Sequence, residues 1–121
     1  MAAHMTPDEL KARTKRFALR IIKLVGSLPR GLAADIIGRQ LLRSGISVGA
    51  NYRAACRARS RPEFASRLAV AEEEADETLY WLELLAESGL VRVERLRDLM
   101  EEADELVAIF TASRKTAAGK N

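Results

Sequence analysis

Inward-type residues at Leu10, Thr14, Phe17, Ile21, Leu24 and Leu28 step by 4, 3, 4, 3 and 4 positions. Only one regular structure keeps such a series on a single side: an α-helix with a buried stripe. The same period restarts three times. Ile37, Leu41, Ser44, Val48, Asn51 and Ala55 form the second series, and Phe64, Leu68, Ala71, Ala75, Thr78, Leu82 and Leu85 the third. Val93, Leu96, Met100, Ala103, Val107 and Phe110 form the fourth. Breakers and caps separate them. Thr6-Pro7-Asp8-Glu9 reads as an N-cap, a proline in the first turn and a capping-box glutamate. Leu28-Pro29-Arg30-Gly31 ends the first helix, and a second is predicted from Leu32 to Arg59. Ser60-Arg61-Pro62-Glu63 nearly repeats the first cap, opening a third helix that stops at Ser88-Gly89. The fourth runs from Arg92 to Arg114.

Helices joined by loops this short must run antiparallel to their sequence neighbours. The expected fold is therefore all-α, an antiparallel up-down-up-down four-helix bundle over residues 6–115. No segment with strand period competes with it. Residues 1–5 read as a cloning leader with Met5 as the natural start, and residues 116–121 as a disordered tail. A chain of 121 residues is one domain of ordinary size, and 48% hydrophobic residues are enough to exclude wholesale disorder. The single cysteine, Cys56, allows no intrachain disulfide and points to a reducing, cytoplasmic compartment. No apolar run approaches the ~18 residues of a membrane span, and no signal peptide is visible.

Chemistry is excluded more sharply than it is suggested. The one histidine, His4, lies in the leader, so triads, Cys–His dyads and most transition-metal sites have no base or ligand. The carboxylates Glu72, Glu73, Glu74, Asp76, Glu77, Glu101, Glu102, Asp104 and Glu105 lack the histidines that di-iron bundles require. Cys56 has cations beside it but no orienting base, and no glycine-rich phosphate loop is present. The expectation is a protein that is not an enzyme, with no cofactor and no metal.

Charge is the most uneven property. Residues 1–61 hold 13 Lys and Arg against 3 Asp and Glu, whereas residues 62–113 hold 4 against 14. One reading is mutual attraction of basic and acidic helices within the bundle. The topology supplies another, because the ends of helices 2 and 4 share one pole with the starts of helices 1 and 3. That pole collects Lys11, Arg13, Lys15, Arg16, Arg53, Arg57, Arg59, Arg61, Arg67, Arg114, Lys115 and Lys120. Such density suits a nucleic-acid backbone, bound through counterion release rather than base reading. Lys11, Lys15, Arg53, Arg57, Arg59 and Arg61 are the candidate contacts, with Phe17 and Tyr52 the only aromatics among the basic residues.

Helix 2 carries Gly38, Gly45 and Gly49 on or near one face. Each interior glycine costs about 1 kcal/mol against alanine, so another helix should approach closely there, within the bundle or from another subunit. Asn51 falls in the inward stripe, or half-exposed if that stripe is rotated. Trp81, in a turn apolar almost all round, reads as core or subunit interface.

The stretch from Leu41 to Val91 has a recognisable pattern. Arg43-Ser44-x-x-Ser47-x-x-x-Asn51 in helix 2 is followed by Glu63-Phe64, then by Glu74-x-x-Glu77-Thr78-x-Tyr80-Trp81-Leu82. It resembles the four-helix-bundle family first noticed as proteins encoded in intervening sequences of 23S ribosomal RNA genes, the S23 ribosomal-like proteins. The resemblance implies a bundle that assembles as a homopentamer, with no catalytic residue. Arg43, Ser44, Ser47, Asn51, Glu74, Glu77 and Trp81 match its motif positions and are structural or interface residues by that resemblance. A related group, the accessory proteins of diversity-generating retroelements, is a basic pentamer that binds nucleic acid and a reverse transcriptase. By analogy the partners are other copies of this chain, RNA or DNA, and a protein of that kind, with no membrane. Many relatives carry Glu soon after Asn51, where this chain has Tyr52-Arg53-Ala54-Ala55-Cys56-Arg57.

Overall fold

A computed structural model describes residues 5–119, so residues 1–4, where most of the expected leader falls, and Lys120 and Asn121, from the expected tail, lie outside the described residues. Four helices follow in order: α1 (Pro7–Gly26), α2 (Leu32–Cys56), α3 (Arg61–Glu87) and α4 (Val93–Ala117). No strand occurs among the described residues. The chain is the expected all-α antiparallel four-helix bundle. α2 packs on α3 and α3 on α4 most extensively, α1 lies chiefly on α2, and the α1–α4 seam is thin.

The caps explain where the helices start. Thr6 closes a full capping box: its hydroxyl accepts from the Glu9 N–H at 3.1 Å, and Glu9 accepts from the Thr6 N–H at 2.7 Å. These hydrogen bonds hold the Glu9 carboxyl below the usual carboxylate range. Ser60 caps α3 in the same way through the Glu63 N–H, but Glu63 reaches back to the N–H of Arg59 rather than to Ser60. The second cap is thus half of the first. α2 stops three residues short of the predicted Arg59, with Arg57 as its C-cap, and α4 continues past Arg114 to Ala117.

The α1 and α3 stripes are as predicted, apart from half-buried Leu28 and Phe64. Those of α2 and α4 are rotated. In α2 the buried line is Ala34, Gly38, Leu41, Ser44, Gly45, Val48, Tyr52 and Ala55, so Asn51 is only half-buried and Tyr52 takes the inward place. In α4, Leu99, Leu106 and Ile109 join Leu96, Ala103 and Phe110 inside. Met100 and Val107 are half-buried, and Val93 is exposed. In both helices the 4-and-3 spacing is kept and only its phase is offset, because inward residues without a hydrophobic signal (Gly38 and Gly45 in α2) or a second row of aliphatics (Leu99 and Leu106 in α4) share the face.

The glycines of α2 serve contact within the bundle. A Cβ on Gly45 would sit 2.9 Å from Cγ2 of Ile21, and one on Gly49 would be 3.1 Å from Oγ1 of Thr14. Ile21 is β-branched and fully buried, so it cannot turn aside. Gly45→Val should therefore destabilise the fold by about 1–3 kcal/mol through overpacking, despite the gain in helix propensity. Gly26 has open space around it, and Gly26→Ala should stabilise by up to about 1 kcal/mol. Urea denaturation of the two variants checks the opposite signs.

Candidate nucleic-acid interface

Antiparallel packing of α1 on α2 leaves a groove on their outer side, with a volume of about 1250 Å³. Lys11, Lys15 and Arg16 of α1 line it, facing Arg53, Arg57 and Arg59 from the end of α2 and the loop after it. Asp8 and Glu63 are the only carboxylates among the lining residues, so the groove holds six cations against two acids. Lys11 is 3.8 Å from Asp8, an exposed pair one turn apart. The other five cations make no ion pair among the described residues. Lys11 and Lys15, like Arg53 and Arg57, are four residues apart and stand on successive turns, about 6 Å along the axis. Two short cationic rows therefore face each other.

Five of the six sequence-predicted contacts meet in this groove. The sixth, Arg61, is the exposed first residue of α3 and does not line it. Of the other members of the predicted cationic pole, Arg13 and Arg114 are occupied, whereas Arg67 and Lys115 are exposed without ion pairs among the described residues. Arg13 donates from Nε to Glu102 at 2.7 Å and from Nη2 to Glu105 at 2.6 Å, bridging the thin α1–α4 seam. Its hydrogen bond to Glu102 is the main reason its guanidinium holds its proton even more firmly than usual. Arg114 donates to Glu72 at 2.7 Å, tying α4 to α3. Lys120 lies outside the described residues. The predicted pole is thus narrower, and concentrated between α1 and α2.

Neither aromatic flagged among the basic residues reaches the groove. Phe17 is fully buried, and Tyr52 packs against Phe110 with ring centroids 5.8 Å apart. Burial, and after it the neighbouring Cys56 thiol, pushes the Tyr52 phenol up. What the sequence did not single out is the groove's apolar part: Ala12, Ala18, Leu19, Ile46, Ala50 and Ala54. The available signal was that Leu19 and Ile46 are large aliphatics out of phase with the inward stripes.

The motif residues gather elsewhere, on the α2–α3 seam. The Arg43 guanidinium donates to Glu74 at 3.2 Å and also to Glu77. Glu77 in turn accepts from the Trp81 indole N–H at 3.1 Å. Beneath them the Thr78 hydroxyl donates to the Glu74 carbonyl at 2.7 Å and lies 2.9 Å from the buried Ser44 hydroxyl, within hydrogen-bond reach of it. Ser47 and Asn51 bond back along α2, to the carbonyls of Arg43 and Ser47. This arrangement fixes one helix against the next and satisfies its own polar groups. It has no nucleophile with a base.

Glu72 offers a test of the clamps. The hydrogen bond from Arg114 is the main cause holding its carboxyl below the ordinary 4.5, with Thr111 assisting. A carboxyl whose pKa is lower folded than unfolded adds stability above the unfolded value, and loses it as pH falls through the folded one. Stability should therefore fall below about pH 4.5, and Glu72→Gln should flatten that acid limb while lowering stability at pH 7. Urea midpoints for both proteins at pH 3 and pH 7 check this.

The sequence model of the family described as 23S rRNA-intervening sequence protein matches residues 9–112, nearly the whole bundle. A solved structure is also similar: a protein of unknown function from the S23 ribosomal protein family of Bacteroides thetaiotaomicron VPI-5482. The two are 34% identical with a TM-score of 0.84, over 92% of this chain and 99% of that one. No curated protein shows significant similarity. Among the described residues no helix is long and apolar enough to cross a membrane.

Proposed function

The chain belongs to the 23S rRNA-intervening sequence protein family, and from that premise we propose a non-enzymatic, cytoplasmic homo-oligomer that binds the backbone of RNA or DNA. The observation that carries this reading is the α1–α2 groove, where Lys15, Arg16, Arg53, Arg57 and Arg59 stand without ion-pair partners among the described residues. What sets these charges apart is their gathering, six cations against two carboxylates along one groove. Left unpaired and aligned on successive turns, they raise the local potential where a phosphate chain could displace its own counterions.

The groove has no aromatic side chain on which bases could stack and no Asn or Gln to read a base edge. Affinity would therefore come from phosphates and be indifferent to sequence. Assembly, pentameric as the family resemblance implies, would repeat the groove around a ring and multiply contacts on one polymer. The test is retention of a labelled RNA or DNA duplex by the nuclease-treated protein at low salt. Binding of unrelated sequences with equal affinity is expected. If no duplex is retained, the cations serve a protein partner, and the chain is a scaffold.

A further inference from the structure

Phosphates account for the cationic part of the α1–α2 groove but not for the rest of it. The other lining residues include Ala18, Gly49, Ala50 and Ala54, a small and apolar floor. Close approach of the two helices sets that floor, since a Cβ on Gly49 would meet Oγ1 of Thr14 at 3.1 Å. Leu19, 58% exposed, and Ile46, 46% exposed, line the groove as well. Charge and aliphatic surface are sorted along the groove. Lys11, Lys15, Arg53 and Arg57 lie toward the pole, and Leu19 and Ile46 follow them away from it on the same two helices. Leu19 comes one turn after Lys15, about 6 Å along α1, and Ile46 comes two turns before Arg53, about 10 Å along α2.

That order matches the order of groups in a nucleotide. A phosphate held at Lys15 or Arg53 has its base one sugar away, and the base reaches the aliphatic end only if it is unpaired. In a duplex the bases are stacked and turned toward the complementary strand, so phosphate and sugar alone would meet the groove. Successive members of each cationic row are about 6 Å apart, close to the separation of consecutive phosphates along one strand. Charge by itself favours the duplex, which carries one negative charge per about 1.7 Å of axis against about 3.4 Å for a single strand. The aliphatic end acts the other way. Every unpaired base has an apolar face to lay on such side chains, whatever the sequence.

We infer that the groove takes an unpaired strand of nucleic acid in preference to a duplex, with phosphates between the Lys11–Lys15 and Arg53–Arg57 rows and bases on Leu19, Ile46 and the alanine floor. The inference rests on the nucleic-acid reading above and names the form of polymer that the site selects. Both lining carboxylates, Asp8 and Glu63, belong to the first turns of α1 and α3 at the pole, so neither stands among the aliphatics where the bases lie. Base contacts release no counterions, so the preference for the single strand grows as salt is raised.

The test measures binding of a labelled thymidine homopolymer, alone and annealed to its adenosine complement, to the nuclease-treated protein across a salt series. The single strand is expected to bind roughly tenfold tighter than the duplex at moderate salt, from the covering of two half-exposed aliphatic side chains. The double variant L19Q/I46Q should remove that preference. It should lower single-strand affinity by roughly the same tenfold and leave duplex affinity and light-scattering mass unchanged. Should circular dichroism show lost helicity, L19A/I46A takes its place. A single strand bound no tighter than the duplex, or a preference that survives the double variant, overturns the inference and leaves phosphate binding intact. A double variant of altered mass assigns the two side chains to a protein contact and overturns it as well. Binding of neither polymer overturns both the inference and the nucleic-acid reading.

Discussion

Replacing Arg53, Arg57 and Arg59 together by glutamate should weaken duplex binding by at least about 500-fold at 0.1 M salt. The figure follows from counterion release. Each phosphate contact on B-form DNA contributes about 0.9 to the slope of log affinity against log salt, so three contacts contribute about 2.7 decades at 0.1 M. The slope itself should fall by the same 2.7, a signature that mere unfolding would not produce. All three side chains are exposed, and none is ion-paired among the described residues, so the bundle should melt as before. Reversing Arg13 instead should behave oppositely. It would break the Glu102 and Glu105 clamp and lower stability, with little effect on the slope. Filter binding across a salt series, beside urea denaturation, separates the two outcomes.

The largest stability effect is expected at Phe110. Its side chain is fully buried and its ring rests against Tyr52, so it joins the end of α2 to the end of α4 at the pole that carries the groove. Phe110→Ala removes the ring and leaves a cavity, at a cost of about 3–5 kcal/mol. Total stabilities of small domains are about 5–15 kcal/mol, so the variant should lose a large fraction of its margin. Denaturation must compare equal protein concentrations, because assembly adds stability by mass action. A loss below about 1 kcal/mol would mean that the pole is packed differently from the structure described.

How much of this was legible in the sequence depends on the kind of signal. The α1 stripe could be read because every inward residue from Leu10 to Leu24 follows one period and a proline lies on either side. The phase of α2 could not, because two of its inward residues, Gly38 and Gly45, carry no hydrophobic signal and are inside only because Leu28 and Ile21 press on them. Reading Asn51 inward in place of Tyr52 is a one-residue consequence of that gap. The cationic pole was visible from topology alone, since antiparallel helices bring the start of α1 to the end of α2. Its narrowing was not visible, because the loss of Arg13 and Arg114 to Glu102 and Glu72 depends on partners some 40 to 90 positions away. Tyr80 illustrates the same limit: adjacency to Trp81 suggested an apolar turn, yet the helix turns Trp81 partly in and Tyr80 out.

These features together make one physical claim, that the α1–α2 groove is a phosphate-binding surface left unpaired by the fold. The most direct test is a titration of the nuclease-treated protein into a structured RNA and a matched DNA duplex across a salt series. The account predicts affinity that falls steeply with salt, with a slope corresponding to about three or more phosphates per engaged subunit and little dependence on sequence. Affinity that is flat with salt, or absent at the lowest salt, would contradict it.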